Sequence, residues 1–203
     1  MKNRNNESVH IDGPAGQLEI VVSDPGDDRV GYAIVAHPHP LHGGTLDNKV
    51  VQTLAKAFFG LGYAALRFNF RGVGESDGVF DDGRGELEDL LCVDAYAKSR
   101  FGDVNTILAG FSFGSYIAAT AAQQRAPSHL VLIAPAVGRF PVADVGKKTL
   151  VVHGEKDDVV LLSDVFDWAR PQQLPVVVFP GAGHFFHGAL VELRDVVMRH
   201  CRD

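Results

Sequence analysis

The sequence predicts an α/β protein: a mostly parallel, twisted central sheet with helices on both faces and an antiparallel hairpin at the N-terminal end. Two observations carry that prediction. Short apolar runs alternate with segments of helical period along the chain, the pattern of successive strand–helix units. The run at 32–36 is apolar throughout, as a strand covered on both faces must be. No internal repeat, low-complexity stretch or Pro/Ser-rich linker interrupts the 203 residues. A single domain over 1–203 is therefore expected, long enough to bury a substantial core.

Taken in order, Val9 to Ile11 and Leu18 to Val22 flank Gly13-Pro14-Ala15-Gly16, a hairpin signature. The apolar strand 32–36 follows. Asp47 is a candidate cap for a helix that places Val50, Val51, Leu54 and Phe58 on one face and ends at Gly60 and Gly62. A strand over 63–70 is stopped by Arg71-Gly72-Val73-Gly74, and a helix over 86–98 carries Leu87, Leu91 and Ala95 at four-residue spacing. Strand 105–111 precedes a helix over 115–124 that is apolar nearly all round, hence buried. Strands at 129–134 and 149–153, a helix at 161–169, a strand at 174–179 and a last amphipathic helix with Leu190, Leu193, Val197 and Cys201 complete the order.

The formal net charge of −6 argues against a nucleic-acid binder, which would show a basic face. No apolar run approaches the length of a membrane span. The polar opening stretch lacks the apolar centre of a secretory signal. Cys92 and Cys201 fall in separate predicted helices and form no redox or metal motif, so a reducing, cytoplasmic location is expected.

Strand, turn and helix meet at Gly110-Phe111-Ser112-Phe113-Gly114, a G-x-S-x-G motif in its required context. A serine on a strained turn projects its oxygen above the sheet edge, with glycines leaving room where helix and strand cross. The N–H of Phe113, at a helix N-terminus, is then placed to stabilise an oxyanion. A serine hydroxyl needs a base, and His153, His184 and His187 are candidates by position. His184 follows the last strand in Pro180-Gly181-Ala182-Gly183-His184, where a tight loop can bring it over the sheet edge, so it is preferred. The acid should also follow a strand, and Glu155, Asp157 and Asp158 compete there. The order Ser, Asp, His separates this arrangement from other triad folds.

His37-Pro38-His39-Pro40-Leu41-His42-Gly43-Gly44 follows the strand at 32–36, where a second oxyanion donor is expected. Proline has no N–H, so the amide of His39 leads, with Leu41 next. A metal site at these histidines lacks the usual extra ligand at defined spacing, and hydrogen bonding to loop carbonyls is the expected role of the rings. The Arg71–Gly74 loop lacks phosphate-loop spacing, so Arg71 is expected to pair with a local carboxylate such as Asp77. Leu41, Phe111 and Phe185 are candidate walls of a substrate pocket, with Phe113 and Phe186 also near.

With these residues assembled, the chain resembles the α/β-hydrolase superfamily over nearly its whole length. It is similar in particular to a group of small bacterial serine hydrolases. Members carry a His-Pro-His-Pro…Gly-Gly…Asp-Asn stretch, matched by His37 to Gly44 and Asp47-Asn48, and an Asn-x-Arg-Gly-x-Gly-x-Ser loop, matched by Asn69 to Ser76. The resemblance selects Asp157 as the acid. It implies a triad of Ser112, Asp157 and His184, acyl-enzyme hydrolysis of a small ester or thioester, and no organic cofactor or metal. Thioesterase, lactone hydrolase and small peptidase are alternatives within the fold, and a non-catalytic binding or sensor protein is the alternative outside enzymes. The stretch 135–148 is too short for the helical lid of larger relatives, so no large cap domain is expected. Monomer and homodimer are equally compatible with the sequence.

Overall fold

A computed structural model describes residues 6–202. Among them, eight strands run in chain order: β1 (Asn6–Gly13), β2 (Gly16–Ser23), β3 (Gly31–Ala36), β4 (Tyr63–Phe68), β5 (Asn105–Phe111), β6 (His129–Ile133), β7 (Leu150–Gly154) and β8 (Val176–Phe179). They form one sheet in the order β1-β2-β4-β3-β5-β6-β7-β8. Strands β1 and β2 are the antiparallel hairpin, with Gly13 opposite Gly16, and β2 joins β4 antiparallel. All other pairings are parallel. The loops after β3, β5, β7 and β8 therefore converge on the carboxyl edge, where open α/β sheets bind their ligands.

Five helices cover the sheet: α1 (Lys49–Gly60), α2 (Arg84–Phe101), α3 (Phe113–Ala122), α4 (Leu162–Gln172) and α5 (Leu190–His200). Helices α1 and α5 bury Val51, Leu54, Phe58, Leu193 and Val197 against Val35, Ile133 and Val152. On the other face, α2 and α3 bury Leu90, Val93 and Ile117 against Ile34, Leu66 and Leu132. The alternation of strand residues between the two clusters follows from their period of two. Each fully buried side chain of this size contributes about 1.5–3 kcal/mol relative to exposure.

Two local expectations are corrected. Asp47 does not cap α1; the cap is Asn48, whose Oδ1 accepts from the Val50 N–H at 2.9 Å. The Asp47 carboxylate turns instead to Arg67, accepting from its Nη1 at 3.1 Å. Arg71 pairs not with Asp77 but with the fully buried Asp89, through Nη2 to Oδ1 at 2.8 Å and Nε to both oxygens. The Arg71 N–H also donates to Asp89 Oδ2, at 2.9 Å. Asp77 serves the hairpin, accepting from the Gln17 N–H at 2.8 Å. A buried guanidinium needs a partner equally removed from water, and Asp77 is exposed. No glycine of the Arg71 loop starts a helix: α2 begins at Arg84, where Glu86 accepts from the N–H groups of Asp81 and Gly83.

Candidate active site

Ser112 sits between β5 and α3 with φ 55° and ψ −116°. A non-glycine residue at positive φ costs about 1–3 kcal/mol and persists only where its surroundings enforce it. Here the Ser112 N–H is tied to Ile133 O at 2.9 Å, and the Ser112 carbonyl accepts from Ser115 N–H at 2.9 Å. Two glycines permit the turn. A Cβ at Gly110 would lie 2.1 Å from the Gly114 oxygen, so strand and helix cross at van der Waals contact. Gly114 has a different partner from the crossing strand expected from sequence. A Cβ there would lie 2.3 Å from Ala36 O and 2.6 Å from His37 O. Its bareness brings the end of β3, and the histidine–proline loop after it, against the start of α3.

The Ser112 Oγ lies 3.0 Å from His184 Nε2, and His184 Nδ1 lies 2.7 Å from Asp157 Oδ2. Burial alone would push the Asp157 carboxyl up. Hydrogen bonds from His184 and from the amides of Val160 and Val159 outweigh that and hold it below the usual carboxylate range. An ionised carboxylate only accepts, so the imidazole proton sits on Nδ1 and the Nε2 lone pair faces the serine hydroxyl. Asp157 Oδ1 accepts from the Val159 and Val160 N–H groups at 2.9 and 2.8 Å, which leaves Oδ2 for the histidine. Asp158 is exposed. The acid loop and the histidine loop are zipped together: Lys156 N–H donates to Ala182 O, and Gly181 N–H donates to Glu155 Oε2.

His153, a positional candidate for the base, points into the core with no exposed surface. Its Nε2 donates to Val160 O at 2.9 Å and lies 3.4 Å from Asp157 Oδ2, and burial pushes its pKa down. His187 is exposed.

In the loop after β3, Pro40–His42 forms one 3-10 turn capped by His39. His39 Nδ1 accepts from the Leu41 N–H at 3.2 Å, which occupies the alternative oxyanion donor. The Phe113 N–H lies in the first turn of α3, where an intrahelical acceptor is missing. Among the described residues neither that N–H nor that of His39 meets a backbone acceptor. His37 is fully buried; Nδ1 donates to Pro38 O at 2.6 Å and Nε2 accepts from Phe70 N–H at 3.1 Å. His37 thus bonds a loop carbonyl as expected, whereas the His39 ring accepts from an amide N–H instead.

The pocket expectation divides. Phe185 and Leu41 are exposed, by 42% and 68%. Phe111 is not a wall: it has no exposed surface and lies beneath His184, ring centroids 5.0 Å apart. The residue before an elbow serine ends a central strand, and the core claims it. Sequence reasoning passed over Arg67, the one cation within the run Tyr63–Phe68 and the only signal that this strand carries a polar duty. Its Nη1 donates to Leu46 O at 2.7 Å, fixing the segment that follows the histidine–proline loop.

Comparison with known proteins identifies the family. The family model described as serine aminopeptidase, S33 (Hydrolase_4), matches residues 38–142. An α/β serine hydrolase without a lid from Xanthomonas campestris superposes with TM-score 0.92 at 38% identity, over 98% of this chain and 95% of that one. The chain belongs to the lidless α/β serine hydrolases. An α-β serine hydrolase homologue from Coxiella burnetii has 44% identity and TM-score 0.90, with 97% of each chain covered. An uncharacterized protein of Rickettsia prowazekii is 32% identical over 88% of this chain and 81% of its own. As a lidless hydrolase, this protein has no helix among residues 134–149, where larger α/β hydrolases insert a cap.

Proposed function

We propose that this hydrolase cleaves carboxylic esters of short acyl chain through an acyl-enzyme on Ser112. The observation that carries the proposal is the unbroken series Ser112 Oγ, His184 Nε2, His184 Nδ1, Asp157 Oδ2, with contacts of 3.0 and 2.7 Å. Ser112 Oγ attacks the carbonyl carbon as its proton passes to His184 Nε2. The resulting oxyanion accepts from the N–H groups of Phe113 and His39. His184 then returns the proton to the departing alkoxide. Water repeats the sequence on the acyl-enzyme, releasing the acid and restoring Ser112. Asp157 stays ionised throughout and steadies the imidazolium. The short-chain preference rests on the exposed apolar side chains Leu41 and Phe185, carried by the loops of His39 and His184, since a long acyl chain needs enclosing walls to leave water.

The test begins with a fluorophosphonate probe and mass spectrometry. Labelling at Ser112, absent from Ser112→Ala and lost in His184→Ala, is the expected result. Ser112→Ala should lower kcat by several orders of magnitude and leave Tm nearly unchanged. Normal turnover in that variant would refute the mechanism. Acetate and butyrate nitrophenyl esters should be cleaved faster than laurate esters; the reverse order would refute the short-chain assignment. A peptide substrate is the second reading, favoured by the aminopeptidase description of the matching family model. Cleavage of aminoacyl nitroanilides with higher kcat/KM than the esters would establish it instead.

A further inference from the structure

We propose that Arg67 and Lys56 form a binding site for a small carboxylate, separate from Ser112 and independent of the reaction proposed for it. A cavity of about 250 Å³ opens beside α1, lined by Gln52, Ala55, Lys56 and Phe59 of that helix together with Ser23 of β2 and Arg67 of β4. Asn6 and Asp47 complete the lining. The Arg67 side chain is nine-tenths buried, an expensive place for a charge unless its donors are used. Nη1 is used twice, by Leu46 O and by Asp47 Oδ1. Nε and Nη2 have no acceptor among the described residues.

Those two nitrogens form one edge of the guanidinium, with parallel N–H groups spaced to grip both oxygens of a carboxylate. Asp47 does not fill that role, because it meets the opposite nitrogen and its side chain is 72% exposed. Lys56 adds a second cation, so the lining holds two positive groups against one negative in a chain whose net charge is −6. Local positive charge in a negative molecule is thus a property of this cavity. Ala55 and Phe59 supply an apolar flank, which suits a short alkyl chain behind the carboxylate and gives nothing to a phosphate, whose oxygens face every direction. The volume is below the range of drug-sized pockets, in keeping with a ligand of few atoms.

Calorimetric titration of the 203-residue chain with butyrate, and separately with inorganic phosphate, at fixed ionic strength tests the site. Saturable one-to-one butyrate binding is expected, with Kd on the order of 1 mM. Arg67→Lys keeps the charge and loses the fork, so binding should weaken at least about tenfold. Lys56→Gln, at an exposed helix position, should weaken binding several-fold with Tm unchanged. Absence of saturable binding, or undiminished binding in Lys56→Gln, would overturn the proposal. Tighter binding of phosphate than of butyrate would overturn the carboxylate assignment.

Discussion

Acidification should destabilise this protein through His37. The ring is wholly buried, and its two partners dictate its proton: Pro38 O can only accept, so Nδ1 carries the hydrogen, and Phe70 N–H can only donate, so Nε2 must be bare. Burial pushes its pKa down to about 4, against 6.5 for a free imidazole, with the Pro38 bond opposing only in part. A second proton on Nε2 would face the Phe70 N–H. Because the folded pKa is depressed, the stabilisation is complete above pH 6.5 and is lost as pH falls toward and through 4. At 1.36 kcal/mol per unit, the loss is about 2 kcal/mol at pH 5 and about 3 kcal/mol at pH 4. Urea unfolding followed by Trp168 fluorescence, from pH 7 to 4, measures it. His37→Gln is the control, since its amide oxygen can accept from Phe70 and does not titrate. His153, also buried with a depressed pKa, is present in both proteins and cancels in the difference. The stability difference between wild type and variant should shift by about those amounts against wild type on acidification. A difference that stays constant over this range would refute the buried, singly protonated state of His37.

Two further predictions concern the site. Asp157→Asn should lower kcat by roughly 10³–10⁴-fold by disturbing the histidine tautomer, whereas Asp158→Asn should stay within a few-fold of wild type in the same ester assay. Equal effects at the two positions would overturn the assignment of the acid. Gly114→Ala would set a methyl 2.3 Å from Ala36 O, so the start of α3 and the loop bearing His39 must separate. A loss of about 1–3 kcal/mol in stability together with a larger fall in kcat than in stability-matched core variants is expected. Wild-type turnover in that variant would show that the contact between loop and helix does not set the oxyanion geometry.

Much of the fold and part of the site were legible because they depend on local chemistry. The strand at Asn105–Phe111, the hairpin closed between Gly13 and Gly16, and the faces of α1 and α5 follow from period and turn residues, which act over a few positions. G-x-S-x-G in its strand–helix setting marks Ser112 for the same reason, since the glycines that permit the turn lie two positions either side of it. Asp47, Arg71 and Phe111 were misread where the deciding neighbour lies far along the chain. Asp47 leaves the helix cap to Asn48 because Arg67 reaches it across 20 positions, and Arg71 finds Asp89 across 18. Phe111 is claimed by the core beneath His184, 73 positions away.

By itself, then, the sequence determined the order of the elements, the candidate nucleophile and the loop that carries His184. Only the tertiary structure decided which partners Asp47 and Arg71 take, and which cations lie beside open space. Those outcomes rest on desolvation and hydrogen-bond geometry between distant segments. A carboxylate or guanidinium takes the partner that packing places beside it at burial, and sequence spacing does not encode that placement.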